Sequence, residues 1–92
     1  MPPCLEVGID YPGNDKRTKL YVTSWKECSN LCRETPTCEV WTWKSVGIRD
    51  CYAKSGISRK SSNANAVSGS RTCGESCKIT HILIHLIIFS LC

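Results

Sequence analysis

The fold is decided by the segment SWKECSNLCRETPTC, residues 24–38. Ser24 and Glu27 have the spacing of a capping box, in which the serine hydroxyl accepts from the Glu27 amide and the Glu27 carboxylate reaches back. We therefore expect a helix beginning at Trp25. Because a proline disfavours helical geometry in the residue before it, the helix should end two or three residues before Pro36.

This helix organises six cysteines into a disulfide framework. Cys28 and Cys32 lie one helical turn apart on the same face. The turn after the helix returns Cys38 to the side of Cys32, whereas Cys28 is better placed for a neighbouring strand that carries Cys51. The remaining two cysteines pair by elimination and join the ends of the domain. The predicted bonds are Cys32–Cys38, Cys28–Cys51 and Cys4–Cys73.

Composition indicates the compartment and limits the partners. The chain has 92 residues and eight cysteines, which is typical of a small domain that matures under oxidising conditions. The formal net charge of +4 is spread along the chain, so it favours acidic partners but lacks the density of a nucleic-acid binder. We expect an extracellular or cell-surface location and no nucleic-acid partner.

The two ends do not fit a complete secreted domain. The first framework cysteine follows Met1-Pro2-Pro3 with no signal peptide ahead of it, so we expect a fragment of a longer secreted protein, or unconventional export. Residues 79–91 are almost wholly apolar, but they are shorter than a membrane span. They are a lipid-anchor signal, a membrane-associating segment or a tail with no evolved role. We place the domain at residues 4–73 and a tail carrying Cys77 and Cys92 at residues 74–92.

Around the helix the chain has the pattern of five strands. Strands need alternating, β-branched or aromatic residues, and turn formers separate such segments here. The first two strands have the pattern of a hairpin, and the polar segment 56–65 is expected to be a mobile loop. The predicted strands are 5–9, 19–23, 39–43, 51–54 and 66–71.

The order of the motifs resembles the PAN/Apple domain family. The motifs are Cys4-x-Glu6-x-Gly8-x-Asp10-Tyr11, Ser24-x-x-Glu27-Cys28-x-x-x-Cys32, Cys38-x-x-Trp41-Thr42-Trp43, Cys51-Tyr52-Ala53-Lys54-Ser55 and Val67-Ser68-Gly69-x-x-x-Cys73. The resemblance implies an α+β fold in which a curved antiparallel sheet of about five strands packs around one α-helix. It also implies a non-catalytic module that binds proteins or carbohydrates, and the same three disulfides.

A cluster of cations provides the first candidate ligand site. Lys16, Arg17 and Lys19 lie together, and their side chains can bind the sulfate or carboxylate groups of a glycan. The alternative is a solvated, charged strand end. Arg59 and Lys60 form a second, weaker pair with the same alternative.

Two tryptophans provide the second candidate site. Trp41 and Trp43 project from one face of their strand, opposite the face that Val40 shares in parity with Cys38. Because Cys38 is bonded to the helix, the tryptophan face should be exposed, as a platform for a sugar ring or a protein partner. The alternative is that both tryptophans belong to the core.

The residues do not support catalysis or metal binding. Residues 4–73 contain no histidine, their cysteines are committed to crosslinks, and their carboxylates are scattered. We expect no enzymatic activity, no metal site and no cofactor. The predicted function is an extracellular module that binds a glycan or a protein, and the alternative is a structural spacer domain with no ligand of its own.

Overall fold

The computed structural model describes residues 3–74, and it has the predicted α+β architecture. One helix packs against a five-stranded antiparallel sheet with the strand order β1-β5-β3-β4-β2. The predictions for Cys77, Cys92 and residues 79–91 lie outside the described residues. The elements are β1 (Glu6–Asp10), β2 (Asp15–Lys19), α1 (Trp25–Glu34), β3 (Val40–Lys44), β4 (Cys51–Lys54) and β5 (Ser61–Ser70).

The helix bounds and its N-terminal cap agree with the sequence prediction. Ser24 has extended backbone geometry, and its hydroxyl accepts from the Glu27 amide at 3.2 Å. The Glu27 carboxylate reaches one residue further back than predicted, because it accepts from the amide and the hydroxyl of Thr23, both at 3.2 Å. The backbone hydrogen bond from Thr23, followed by the contact with Lys19, lowers the pKa of Glu27. The Glu27 carboxylate is therefore ionised at neutral pH.

The three predicted disulfides are confirmed. Cys28–Cys51 joins α1 to β4, and Cys32–Cys38 closes the turn after α1, with Cα–Cα distances of 5.4 and 5.3 Å. Cys4–Cys73 joins the two ends of the domain across 69 residues of sequence. These bonds tie the helix to the sheet, close the turn after the helix and hold residues 4 and 73 together.

The second strand lies earlier in the chain than predicted. It comprises Asp15–Lys19 and pairs with β4, so it does not form a hairpin with β1. Residues 20–23 do not continue the strand because Tyr21 has a φ of 61°, in the left-handed region that non-glycine residues rarely adopt. The Tyr21 and Val22 amides donate instead to the carbonyls of Ile48 and Arg49, at 3.0 and 2.9 Å.

Half of the predicted mobile loop belongs to β5. This strand begins at Ser61 and pairs with both β1 and β3, which leaves a loop of residues 55–60 between β4 and β5. Its polar first half pairs with Ile9 and Asp10 of β1, beyond an irregularity at Gly8, where φ is 83°. Backbone pairing requires no apolar side chains, so a polar sequence can form a strand.

Candidate functional site

The cationic cluster lies on an exposed edge strand. β2 is the last strand of the sheet, and all five of its residues are exposed. Arg17 and Lys19 are paired with Ala53 and Cys51, and Cys51 is bonded to the helix, so both cations lie on the helix side of the sheet. Lys16 lies at the register shift between Asp15 and Arg17. The structure therefore brings the three predicted cations together at one edge.

Only one of these three cations has an acidic partner. Lys19 Nζ lies 3.4 Å from Glu27 Oε2, and both side chains are substantially exposed. Within residues 3–74, Lys16 and Arg17 make no ion pair. These two charges are therefore uncompensated among the described residues.

Asp15, the acidic residue of β2, forms an ion pair with a buried lysine of β4. Asp15 Oδ1 accepts from Lys54 Nζ at 2.6 Å, although Lys54 is only 2% exposed. The same ammonium donates to the Gly13 carbonyl at 3.2 Å and lies 5.3 Å from the centroid of the Tyr52 ring. Because the Asp15 carboxylate is paired with Lys54, it does not offset the positive charges of the other β2 side chains.

An apolar surface begins where the cationic strand ends. Leu20, Tyr21, Val46 and Ile48 are exposed large hydrophobic residues, and Tyr21 is the most exposed at 71%. The Tyr21 amide donates to the Ile48 carbonyl, which holds the β2–α1 loop against the β3–β4 loop. We call these four residues the apolar end patch. Sequence reasoning missed it, because Leu20 and Tyr21 have the residue types of a strand and their exposure depends on the left-handed backbone.

The predicted exposed platform of tryptophans is wrong for Trp41. Its side chain is fully buried, stacks on Trp25 with ring centroids 6.1 Å apart, and donates from Nε1 to the Ser70 carbonyl at 3.0 Å. Trp43 is half-buried and donates from Nε1 to the Val22 carbonyl at 2.9 Å. Both tryptophans pack with the core, as the alternative interpretation had it.

The error arose from the position of Cys38. This residue lies in the turn after the helix, where its amide donates to the Thr35 carbonyl at 3.0 Å, and β3 begins only at Val40. Side-chain alternation therefore does not extend from Cys38 into the strand. The residue that shows which face of β3 is buried is Cys51. It pairs directly with Trp43 and is bonded to the helix, so the tryptophan face points inward.

The face of the sheet opposite the helix carries a group of paired charges. Lys44 and Lys54 lie over the Tyr52 ring, with Nζ 5.4 and 5.3 Å from its centroid. The Tyr52 hydroxyl donates to Asp50, and this hydrogen bond, followed by partial burial, raises the pKa of Tyr52 to about 12. Lys44 also lies 3.8 Å from Asp10. These mutual pairings make the cluster a stabilising element of the sheet.

Residues 3–74 contain no cluster of three or more histidine, cysteine, aspartate or glutamate side chains suited to a metal ion. None of the helices described there is long and apolar enough to cross a membrane.

The architecture defines a small disulfide-crosslinked α+β domain with an exposed cationic edge strand as its candidate binding surface. A family model for the PAN domain matches residues 9–55, just over half of the chain. The chain belongs to the PAN domain family, whose members are known as modules that bind proteins or carbohydrates. No curated protein matches the chain significantly.

Proposed function

We propose that this chain is a non-catalytic extracellular binding module, and that strand β2 binds an acidic glycan or an acidic protein surface. The observation that carries the proposal is the pair of exposed cations, Lys16 and Arg17, that have no acidic partner among residues 3–74. The three disulfides support an oxidising environment. The expected location is the cell exterior or the cell surface.

The geometry of β2 suits an extended anionic ligand. Alternate residues of a strand share a face and lie about 7 Å apart, so Arg17 and Lys19 can contact neighbouring anionic groups of one ligand. Arginine adds a planar fork of donors that binds carboxylate or sulfate through two hydrogen bonds. A ligand anion that approaches Lys19 competes with Glu27, which weakens that contact relative to the contact with Arg17.

A protein partner is the second candidate ligand, and the apolar end patch favours it. Leu20 and Tyr21 follow Lys19 directly in sequence, so exposed apolar side chains adjoin the cationic strand. Contiguous exposed apolar residues commonly mark protein interaction sites, and exposed tyrosine is a frequent anchor of such interfaces. Binding that depends on the aliphatic side chains of Leu20 and Ile48 as well as on Arg17 would favour a protein over a glycan.

Heparin-affinity chromatography and titration calorimetry on the oxidised full chain test the proposal. Changing Lys16, Arg17 and Lys19 together to alanine should weaken heparin binding by about tenfold or more, since hydrogen bonds to charged groups are worth about 1.5–3 kcal/mol each. Lys26→Ala is the matched control, because it removes an exposed cation from the helix and should change affinity by less than about twofold.

Three results would count against the proposal. Absence of heparin binding at low salt would exclude the glycan ligand. Unchanged affinity in the triple variant would exclude β2 as the site. An equal loss of affinity for Lys26→Ala and Arg17→Ala would mean that heparin binding depends on net charge and not on a site in β2.

A further inference from the structure

A surface cleft lies between the loop that follows β1 and the loop that precedes β5. It has a volume of about 450 Å³. The Ser58 hydroxyl donates to the Pro12 carbonyl at 2.6 Å, and the Ser55 amide donates to the Asn14 carbonyl at 2.9 Å. These two bonds connect the walls and hold the cleft in shape. Its lining residues are Pro12, Ser58, Arg59, Lys60 and Ser61.

One of the two cations in the lining is balanced internally. Lys60 Nζ lies 2.8 Å from Glu6 Oε2, and Glu6 also accepts from the Tyr11 hydroxyl. Partial burial opposes ionisation of Glu6, but the hydrogen bonds from Lys60 and Tyr11 outweigh it and lower the pKa of this carboxyl. Glu6 is therefore ionised at neutral pH, and Lys60 remains in an ion pair with it.

The other cation, Arg59, is exposed and makes no ion pair within residues 3–74. The uncompensated charge of the cleft is thus a single guanidinium. A planar guanidinium binds one carboxylate through two parallel hydrogen bonds. The charge of the cleft matches a ligand with one such group.

The rest of the lining suits a sugar ring. The Pro12 ring offers an apolar surface for the C–H face of a pyranose, and the Ser58 and Ser61 hydroxyls offer hydrogen bonds to its hydroxyl groups. The volume lies in the range of small-molecule sites, about 300–1,000 Å³, and accommodates one ring.

We propose that this cleft binds a carboxylated monosaccharide unit, with Arg59 donating hydrogen bonds to the carboxylate and Pro12 packing against the ring. The site uses no residue of β2, so it does not depend on the function proposed for that strand. It also differs in ligand, because β2 suits an extended polyanion and the cleft suits one singly charged ring.

Titration of the oxidised full chain with methyl glucuronide, with a methyl sialoside and with neutral methyl glucoside tests the proposal. Amide chemical shifts should change saturably at Ser58–Ser61 with at least one of the two acidic sugars. Binding of methyl glucoside should be about tenfold weaker or more, because it lacks the group that Arg59 binds. Arg59→Gln should weaken binding of the acidic sugar by a similar factor.

Lys26→Gln is the control, because it removes an exposed cation that belongs to neither proposed site and should leave acidic-sugar binding within about twofold of wild type. Failure of one site is distinguishable from failure of the other, because β2 is tested by heparin binding of the Lys16, Arg17 and Lys19 triple variant, and the cleft is tested by monosaccharide binding of Arg59→Gln. The proposal is overturned if neither acidic sugar gives saturable shifts, if methyl glucoside binds equally well, or if Arg59→Gln has no effect.

Discussion

Arg71 connects the end of the sheet to the end of the helix, and its removal provides the sharpest test of the packing. Its Nη1 donates to the carbonyls of Thr35 and Cys38 at 2.8 and 2.9 Å, and its Nη2 donates to the Arg33 carbonyl at 2.8 Å. These acceptors lie in the last turn of α1 and in the turn that follows it. A cation at this end of a helix is also favoured by the helix dipole.

The expected cost of removing Arg71 follows from these three contacts. A hydrogen bond with a charged donor contributes about 1.5–3 kcal/mol, and Arg71 is half-buried, so water replaces part of what is lost. We expect Arg71→Ala to lower the free energy of unfolding by about 2–4 kcal/mol, a large part of the 5–15 kcal/mol typical of a domain. Arg71→Lys should lose about 1–2 kcal/mol, because an ammonium keeps the charge but not the fork.

Urea denaturation followed by tryptophan fluorescence measures this change in the full chain with its disulfides intact. Thr72→Ala is the matched control, since it alters the exposed neighbouring residue and should shift stability by less than about 0.5 kcal/mol. If Arg71→Ala unfolds within about 0.5 kcal/mol of wild type, the three contacts contribute nothing and the reasoning is refuted.

Two further predictions test the core and the charged face. In Gly69→Ala, the new Cβ would lie 2.6 Å from Trp41 Cζ2, so we expect a loss of about 1–3 kcal/mol in urea denaturation. Gly56→Ala, with its nearest contact at 3.7 Å, should change little, and equal stability of both variants would contradict the tight packing. The pKa of Tyr52, about 12, should fall toward 10.0 in Asp50→Asn, as followed by tyrosinate absorbance. Because folding raises this pKa, its contribution to stability is complete below pH 10.0 and is lost as the pH rises toward about 12, and the variant should show a smaller loss. An unchanged tyrosine titration would remove Asp50 as the cause.

The helix and the disulfides could be predicted because their determinants are local. Ser24 and Glu27 cap the helix within one turn, and Pro36 limits it at the other end. Once the helix exists, Cys28 and Cys32 share a face, and the short turn to Cys38 leaves few ways to pair six cysteines. This reasoning requires no knowledge of the sheet order.

The strands were harder because residue type does not decide pairing. The β-branched and aromatic residues 19–23 predicted a strand, yet the polar segment Asp15–Lys19 forms β2, since it is the segment that meets β4. Likewise Ser61–Asn65 was expected to be a loop and forms the first half of β5 against β1. In each case contacts with distant strands outweighed local propensity.

Some features of the candidate site could also be predicted from the sequence, whereas others are visible only in the structure. The position of Lys16, Arg17 and Lys19 in one cluster follows from their adjacency in sequence, whereas the absence of acidic partners for Lys16 and Arg17 within residues 3–74 follows only from the structure. The exposure of Tyr21 depends on a backbone conformation that its residue type does not favour. The cleft at Arg59 depends on two loops that are more than forty residues apart in sequence.

The sequence alone determined the capped helix, the disulfide pairing, the PAN domain class and the cationic cluster, because each depends on spacings of a few residues or on an ordered cysteine pattern. The tertiary structure decided which face of β3 is buried, where Arg71 binds, and which exposed cations lack partners among the described residues. These features arise from contacts such as Trp41 with Ser70 and Arg71 with Thr35, between residues 29 and 36 positions apart. Such contacts form only after the strands have paired, and no local pattern specifies them.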